Sequence, residues 1–198
     1  MSTKIGSVKE RLRISNRKFL DKETVQKMID AFLPWYKISD LCNRKLITPI
    51  KKCDTYLNLF YRGFVDPYVI WSIYFGDKPY VFGWLQLNNS YHFTTQVPER
   101  YTIYNTTTSG EKIIGNAKFI FKQVRPPFFY GIQKKKIDGR VINIMSPERA
   151  LIQMIREWAS LEFVQTLPDN VDKKNILKMA EHHTNKSILE KIKTLINY

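Results

Sequence analysis

Residues 22–33 read KETVQKMIDAFL. The apolar side chains of this stretch follow the i, i+3, i+4, i+7, i+8 spacing of a helix with one buried face. They are Val25, Met28, Ile29, Phe32 and Leu33. Asp21 supplies a carboxylate for the N-cap, and Pro34 ends the helix because proline has no backbone N–H to donate. The stretch therefore predicts an amphipathic helix.

The residues that follow this helix predict a second helix and a hairpin. A shorter helix is expected from about Tyr36 to Lys45, with Ile38, Leu41 and Cys42 facing inward. Residues 46–50 and 55–60 are typical of strands, and the turn between them is basic. Two helices and a basic hairpin indicate a winged-helix-like unit, which lays a helix in the major groove of DNA and rests its hairpin on the backbone.

A winged helix needs a third helix, and residues before position 22 must supply it. Ser7 to Ile14 is the candidate, although only Val8 and Leu12 give it an apolar pattern. Alternatively, the basic N-terminal arm is unstructured and follows the phosphates of a nucleic acid. The charged side chains of this arm are Arg11, Arg13, Arg17 and Lys18.

Positive charge is concentrated in the first third of the chain. The 198 residues carry a formal net charge of +14, and the residues through Arg62 hold 14 Lys and Arg against 6 Asp and Glu. A polyanion partner is expected, because each neutralised phosphate releases counterions. Lysine-rich composition without a function is the alternative interpretation. The predicted DNA contacts are Arg17, Lys18, Lys37, Arg44, Lys45, Lys51 and Lys52.

The remainder of the chain predicts an α+β domain that ends in helices. A domain boundary is expected near Gly63, which gives domains over 1–63 and 64–198. Asp66-Pro67 begins a helix that continues to Gly76, and Ser146-Pro147 begins the first of three C-terminal helices. Between them, 101–104 and 118–124 are strand-like, and 128–133 and 140–145 flank a predicted hairpin turn. Residues 80–89 are apolar enough to be buried as a strand or as a helix.

A second basic cluster lies at Lys134, Lys135 and Lys136. Asp138-Gly139 is a strong hairpin signal, so these lysines are interpreted as a charged hairpin tip and a possible second phosphate contact. The aromatic residues over 71–84 are interpreted as core packing rather than as a base-stacking platform.

No pattern of catalytic or metal-binding residues is present in the sequence. His182 and His183 are adjacent and diverge on a helix, and there is no glycine-rich phosphate loop. Asp138, Glu148 and Glu157 are interpreted as a turn former and helix charges rather than as nuclease ligands. We therefore expect no enzyme activity, no cofactor and no metal. Without an apolar span or a secretion signal, a cytoplasmic location is expected.

Three segments in order resemble the AbiEi family of antitoxins and transcriptional regulators. They are Asp66-Pro67-Tyr68-Val69, then Gly83-Trp84-Leu85-Gln86-Leu87 leading into Thr94-Thr95-Gln96-Val97-Pro98-Glu99-Arg100, and Ser146-Pro147-Glu148-Arg149-Ala150-Leu151. Residues 41–47, 50–52 and 56 also fall where that family has the last helix and wing of its winged helix. The resemblance covers about residues 19–161 and favours a helix over 80–89.

The resemblance implies a function and a partner. It implies an N-terminal winged helix that binds DNA, a C-terminal α/β antitoxin domain, and a nucleotidyltransferase-type toxin encoded beside it. Such antitoxins repress their own operon in systems of abortive infection against phage. Two other hypotheses stay open. One is a protein-interaction module that neutralises a partner directly without DNA, and the other is an RNA-binding or nucleolytic defence protein.

Overall fold

The computed structural model describes residues 2–51, 54–83, 87, 91, 100–114, 117–158, 169 and 171–197. Within these ranges the chain is a mixed α+β protein with seven α-helices and two sheets. It forms two compact units. The first comprises Met1–Gly76 with Ile114–Asn116, and the second comprises Asp77–Ile113 with Ala117–Tyr198.

The first unit combines helices with a small antiparallel sheet. Its strands pair in the order β1-β3-β2. Its elements are α1 (Ser2–Ile14), β1 (Phe19–Asp21), α2 (Lys22–Phe32), α3 (Ile38–Asn43), β2 (Ile47–Lys51), β3 (Thr55–Asn58) and α4 (Pro67–Phe75). The core draws on both the helices and the sheet, with Val8 and Leu12 from α1, Ile29 from α2 and Tyr56 from β3.

N-cap residues determine where α2 and α3 begin. The helix predicted over 22–33 is confirmed as α2, and the Asp21 carboxylate accepts a hydrogen bond from the Thr24 N–H at 2.7 Å. The second helix is shorter than predicted. It begins at Ile38 because the Lys37 N–H donates to the Asp40 carboxylate at 2.7 Å, which places the cap at Lys37.

The N-terminal segment is a helix, and it is longer than the sequence predicted. It runs over Ser2–Ile14, so the expectation of an unstructured arm is wrong for Arg11 and Arg13. Val8 and Leu12, the only two apolar residues of the weak pattern, are both buried. A helix with a weak pattern is therefore held by tertiary packing rather than by a broad apolar stripe of its own.

The first unit extends to Gly76, beyond the boundary expected near Gly63. The predicted helix with Asp66 as cap and Pro67 at its first position is confirmed as α4. This helix contacts β2, which places it with the first unit.

The second unit contains a six-stranded sheet and the three C-terminal helices. The strand order is β6-β7-β5-β4-β9-β8, with β5–β7 and β4–β9 parallel and β4–β5 and β8–β9 antiparallel. Its strands are β4 (Tyr80–Phe82), β5 (Arg100–Asn105), β6 (Gly110–Ile114), β7 (Ala117–Gln123), β8 (Ile132–Ile137) and β9 (Arg140–Met145). A 3-10 turn covers Pro126–Phe128, and the helices are α5 (Pro147–Trp158), α6 (Lys173–His183) and α7 (Lys186–Asn197).

The prediction of a helix over 80–89 is wrong for residues 80–82. Tyr80–Phe82 is a strand that pairs with β5 on one side and β9 on the other. All three of its side chains are buried. A strand covered on both faces is apolar throughout, so its pattern does not separate it from a buried helix. Residues 84–86 and 88–89 lie outside the described residues.

Lys134, Lys135 and Lys136 do not form a hairpin tip. They lie within β8, opposite Asn143, Ile142 and Val141 of β9. The turn itself is Asp138-Gly139, whose φ values of 49° and 77° are typical of a two-residue type I′ turn. Successive strand residues point to opposite faces, so these three lysines do not meet on one surface.

Four of the aromatic residues over 71–84 are core residues, as predicted, and Tyr74 is half-buried. Trp71, Phe75, Tyr80 and Phe82 are all buried. Trp84 lies outside the described residues. In the described part of the chain, no helix has the length and apolar character needed to cross a membrane.

Candidate nucleic-acid interface

Helix α3 presents a polar face between two basic ends. Leu41 is buried, and Ser39 and Asn43, which are four residues apart, are exposed on one face of the helix. Lys37 precedes the helix, Arg44 and Lys45 follow it, and all three are exposed. Hydroxyl and amide side chains can read base edges, and lysine and arginine can pair with phosphates or with guanine. Helix α3 therefore has the composition of a recognition element.

The end of α3 is fixed by a Schellman motif. The Lys45 N–H donates to the Cys42 carbonyl at 2.9 Å, and the Leu46 N–H donates to the Leu41 carbonyl at 3.0 Å. Lys45 takes φ 54°, the left-handed conformation that this motif requires. Glycine usually occupies this position because a Cβ is strained there. Lys45 therefore occupies a position where the backbone conformation favours glycine.

Arg44 is held against an aromatic ring. Its guanidinium carbon lies 5.3 Å from the centroid of the Tyr36 ring. Trp35 beside it is 55% exposed. These three residues line a cavity of about 370 Å³ together with Asp40 and Asn43. A cation over a ring face keeps the N–H groups at its edge available to an anion.

Arg17 and Lys18 lie on the link between α1 and β1, and a buried asparagine fixes that link. The Asn58 side-chain amide donates to the Leu12 carbonyl at 2.8 Å and to the Arg17 carbonyl at 3.0 Å. The Asn58 N–H also donates to the Lys18 carbonyl at 3.0 Å. Sequence reasoning missed Asn58, although a polar residue between Leu57 and Leu59 in an apolar strand was a usable signal.

The predicted contact residues are placed in two groups on the first unit. Lys37, Arg44 and Lys45 surround α3, and Arg17 and Lys18 lie on the α1–β1 link. Among the ion pairs of the described residues, none involves Arg17, Lys37, Arg44 or Lys45. Lys51 ends β2 opposite Thr55, and Lys52 lies outside the described residues. Lys37, Arg44 and Lys45 are therefore not engaged in an ion pair within the described part of the chain.

A hydrogen-bonded network in the second unit was also missed by sequence reasoning. Arg149, Gln153 and Glu157 follow one another at i, i+4 and i+8 on α5. Arg149 Nη1 donates to Gln153 Oε1 at 2.9 Å, and Gln153 Nε2 donates to Glu157 Oε1 at 2.8 Å. The Tyr104 hydroxyl donates to Glu157, and Lys122 lies 3.1 Å from the same carboxylate. Glu157 is an exposed charge on α5, as interpreted from the sequence, and its carboxylate is in addition the acceptor of this network.

Burial sets the protonation of this network. Arg149 is fully buried, and burial lowers its pKa to about 10, so it remains charged at neutral pH. Burial and the neighbouring Glu157 carboxylate raise the pKa of Tyr104 far above its ordinary value. Tyr104 consequently stays protonated and donates to Glu157. The sequence signal was an arginine within a helix stretch otherwise buried at Ala150 and Leu151.

Replacement of Gly131 by alanine is expected to destabilise the second unit by about 2 kcal/mol, because strain and a clash add. Gly131 has φ 56°, and a Cβ there would lie 2.8 Å from the Arg149 Cβ and 3.1 Å from the Met179 sulfur. Gly139→Ala is the matched control, since Gly139 has φ 77° and open space around it. Urea unfolding followed by circular dichroism measures both. An equal loss in the two variants would contradict the clash.

The described residues form neither a metal-binding cluster nor an activated thiol. No group of three His, Cys, Asp or Glu side chains in them is arranged to hold a metal ion. Cys42 is a free, half-buried thiol, and burial raises its pKa. A raised pKa leaves less thiolate at neutral pH, so this cysteine is a poor nucleophile.

The fold class, a mixed α+β chain, is shared with a solved structure. A crystal structure of the RV2827C protein from Mycobacterium tuberculosis aligns with a TM-score of 0.62 and 12% sequence identity, over 98% of this chain and 76% of that chain. At this identity the likeness concerns the fold alone. No family model and no curated protein matches the chain.

Proposed function

We propose that the chain is a DNA-binding antitoxin and transcriptional autoregulator of a toxin–antitoxin operon, which counteracts a nucleotidyltransferase-type toxin in the cytoplasm. The observation that carries the DNA-binding part is the topology of the first unit. Its elements run helix, strand, helix, helix, strand, strand before the last helix, α4, and the sheet has the order β1-β3-β2. We infer that this unit is a winged helix, with α3 as its recognition helix and the β2–β3 hairpin as its wing.

The surface of α3 supports this assignment. Ser39 and Asn43 are exposed on one face and have the hydrogen-bonding groups that read base edges, and an asparagine pairs well with adenine. Lys37, Arg44 and Lys45 flank that face and would bind the phosphates on either side. The buried Asn58 bonds the backbone carbonyls of Arg17 and Lys18, which reduces the backbone entropy that this link loses on binding.

Replacement of Lys45 by glycine is expected to separate DNA binding from stability. The variant removes one phosphate contact, so affinity for duplex DNA falls about five- to tenfold at 0.1 M salt. The same change relieves the left-handed backbone strain at φ 54°, so the free energy of unfolding rises by about 0.5–1 kcal/mol. Fluorescence anisotropy with the protein's own upstream DNA measures the first effect, and urea unfolding measures the second.

Two controls accompany this variant. Lys45→Arg keeps the charge and is expected to keep the affinity. Lys27→Gln removes a charge that is already paired with Glu23 at 2.6 Å, and it is expected to leave the affinity unchanged. If Lys45→Gly bound DNA as tightly as the unchanged protein, α3 would not be the recognition helix.

The antitoxin part of the proposal rests on the resemblance of the three ordered segments. Its test is rescue of growth when the chain is expressed with the product of the neighbouring gene. Rescue by Lys45→Gly at normal level would indicate neutralisation that does not need DNA, as in a protein-interaction module. Absence of rescue by the unchanged protein would contradict the antitoxin function and would leave DNA binding as a separate question.

A further inference from the structure

The second unit contains a basic pocket that the proposed DNA-binding surface does not use. The pocket has a volume of about 570 Å³ and lies between the 3-10 turn, α5 and the end of α6. Its walls carry Arg125, Phe128, Tyr130, Arg156, His182 and His183. This volume is within the range of pockets that take small ligands.

The lining of this pocket carries positive charge and has no carboxylate to balance it. Its two arginines supply the positive charge, and no aspartate or glutamate is among its lining residues. None of the ion pairs formed by described residues includes Arg125 or Arg156. Uncompensated arginines that converge on a concave surface favour a phosphate or carboxylate group.

Flat rings form the remaining wall, and they are stacked. The His183 ring lies 3.7 Å from the Tyr130 ring, with 10° between the planes. The guanidinium of Arg149 lies 4.0 Å from the centroid of the same tyrosine. Two planar groups this close to one ring must occupy its opposite faces. The three side chains therefore stack in the order Arg149, Tyr130, His183, and this stack fixes the plane of the His183 imidazole at the pocket.

Arg149, the buried member of this stack, forms only part of its possible hydrogen bonds. Arg149 Nε and Nη2 are buried and have no hydrogen-bond partner among the described residues. A buried donor without a partner is costly, and such groups mark places where a ligand or water binds. The positive charge of Arg149 also acts on the pocket. Burial lowers the pKa of His183, and His182 and Arg149 lower it further.

We propose that this pocket binds a nucleoside phosphate, with the phosphate paired to Arg125 and Arg156 and the base stacked on the His183 ring, on the face that Tyr130 does not cover. Cations alone would fit any anion, but a ring wall beside them fits a ligand that is both aromatic and phosphorylated. The same chemistry occurs in a free nucleotide and in the phosphorylated end of a nucleic-acid strand. This inference does not depend on the proposed function.

The test is calorimetric titration of the full chain. AMP and UMP are compared with adenosine, uridine and inorganic phosphate, and each nucleotide is expected to bind at least about tenfold more tightly than its separate parts. A dinucleotide with a 5′-phosphate is compared with the same dinucleotide with a 5′-hydroxyl. Tighter binding of free nucleotides identifies them as the source, and tighter binding of the phosphorylated dinucleotide identifies a strand end.

The variant Arg125→Gln/Arg156→Gln is expected to lower nucleotide affinity at least about tenfold. Both arginines are exposed, so the fold is expected to survive, and a thermal melt checks this. Lys134→Gln/Lys136→Gln removes the same charge from exposed positions of the same unit and is the matched control. The proposal is wrong if both variants lose affinity equally, or if no nucleotide binds at about 5 mM.

The outcome of this test is distinguishable from failure of the DNA-binding proposal. Duplex binding is expected to survive Arg125→Gln/Arg156→Gln and to fall in Lys45→Gly. If Arg125→Gln/Arg156→Gln lost duplex binding and the unchanged protein bound no nucleotide, the pocket would be a DNA-backbone contact and the nucleotide proposal would be overturned.

Discussion

Replacement of Arg149 by alanine is expected to lower the free energy of unfolding by about 3 kcal/mol or more. Arg149 is fully buried, so its truncation leaves a cavity. Its guanidinium lies over the rings of Phe128 at 4.6 Å and Tyr130 at 4.0 Å, and both ring contacts are lost. Gln153 Oε1 also loses its donor. Urea unfolding followed by circular dichroism measures the change.

A matched variant separates the packing of Arg149 from its charge. Arg149→Met keeps most of the side-chain volume and removes the guanidinium, and it is expected to cost much less than the alanine variant, about 1 kcal/mol. The reason is that the guanidinium's described hydrogen bond goes to a neutral amide, and two of its nitrogens have no described partner. If Arg149→Met were as unstable as Arg149→Ala, the charge and not the packing would hold this region.

Helix caps and short amphipathic helices were predictable from the sequence. Asp21 and Asp66 cap α2 and α4 because each carboxylate bonds a nearby backbone N–H, an interaction between neighbours in sequence. The apolar spacing of residues 150–155 likewise identified the buried face of α5. Local interactions of this kind leave a pattern that one sequence shows.

Features that depend on distant partners were not predictable. Tyr80–Phe82 is a strand because β5 and β9 lie on either side of it, and neither neighbour is close in sequence. The lysines at 134–136 are in an edge strand, where lysines discourage pairing with another chain, rather than in the turn. The local signal Asp138-Gly139 located the turn correctly, but the length of β8 was decided by its pairing with β9.

The candidate DNA-binding residues were predictable in part. Net charge pointed to the first unit, and the structure places Lys37, Arg44 and Lys45 around one short helix. The sequence did not reveal that Asn58 fixes the backbone at Arg17 and Lys18, because that contact spans 41 positions from Asn58 to Arg17. It also did not reveal the ring stack at Tyr130, which joins the 3-10 region to α6 only after folding.

The largest effect on binding is expected from salt. Five of the proposed contacts have described side chains, namely Arg17, Lys18, Lys37, Arg44 and Lys45. If each binds one phosphate, the logarithm of the binding constant falls with the logarithm of salt concentration with a slope of about −4 to −5. Affinity for duplex DNA then falls roughly 500-fold between about 50 and 200 mM salt. If Lys51 and Lys52 each bind a further phosphate, the slope steepens to about −6, and replacing both lysines is expected to return it to about −4 to −5 on every sequence.

The most direct measurement is this salt dependence, recorded by fluorescence anisotropy on a labelled duplex of the protein's own upstream DNA. A scrambled duplex of equal length is the control and separates sequence reading from phosphate binding. We expect the steep slope on both duplexes and a tighter binding constant on the upstream sequence. An affinity that is flat between low and moderate salt would contradict the central claim that the basic first unit binds the DNA backbone.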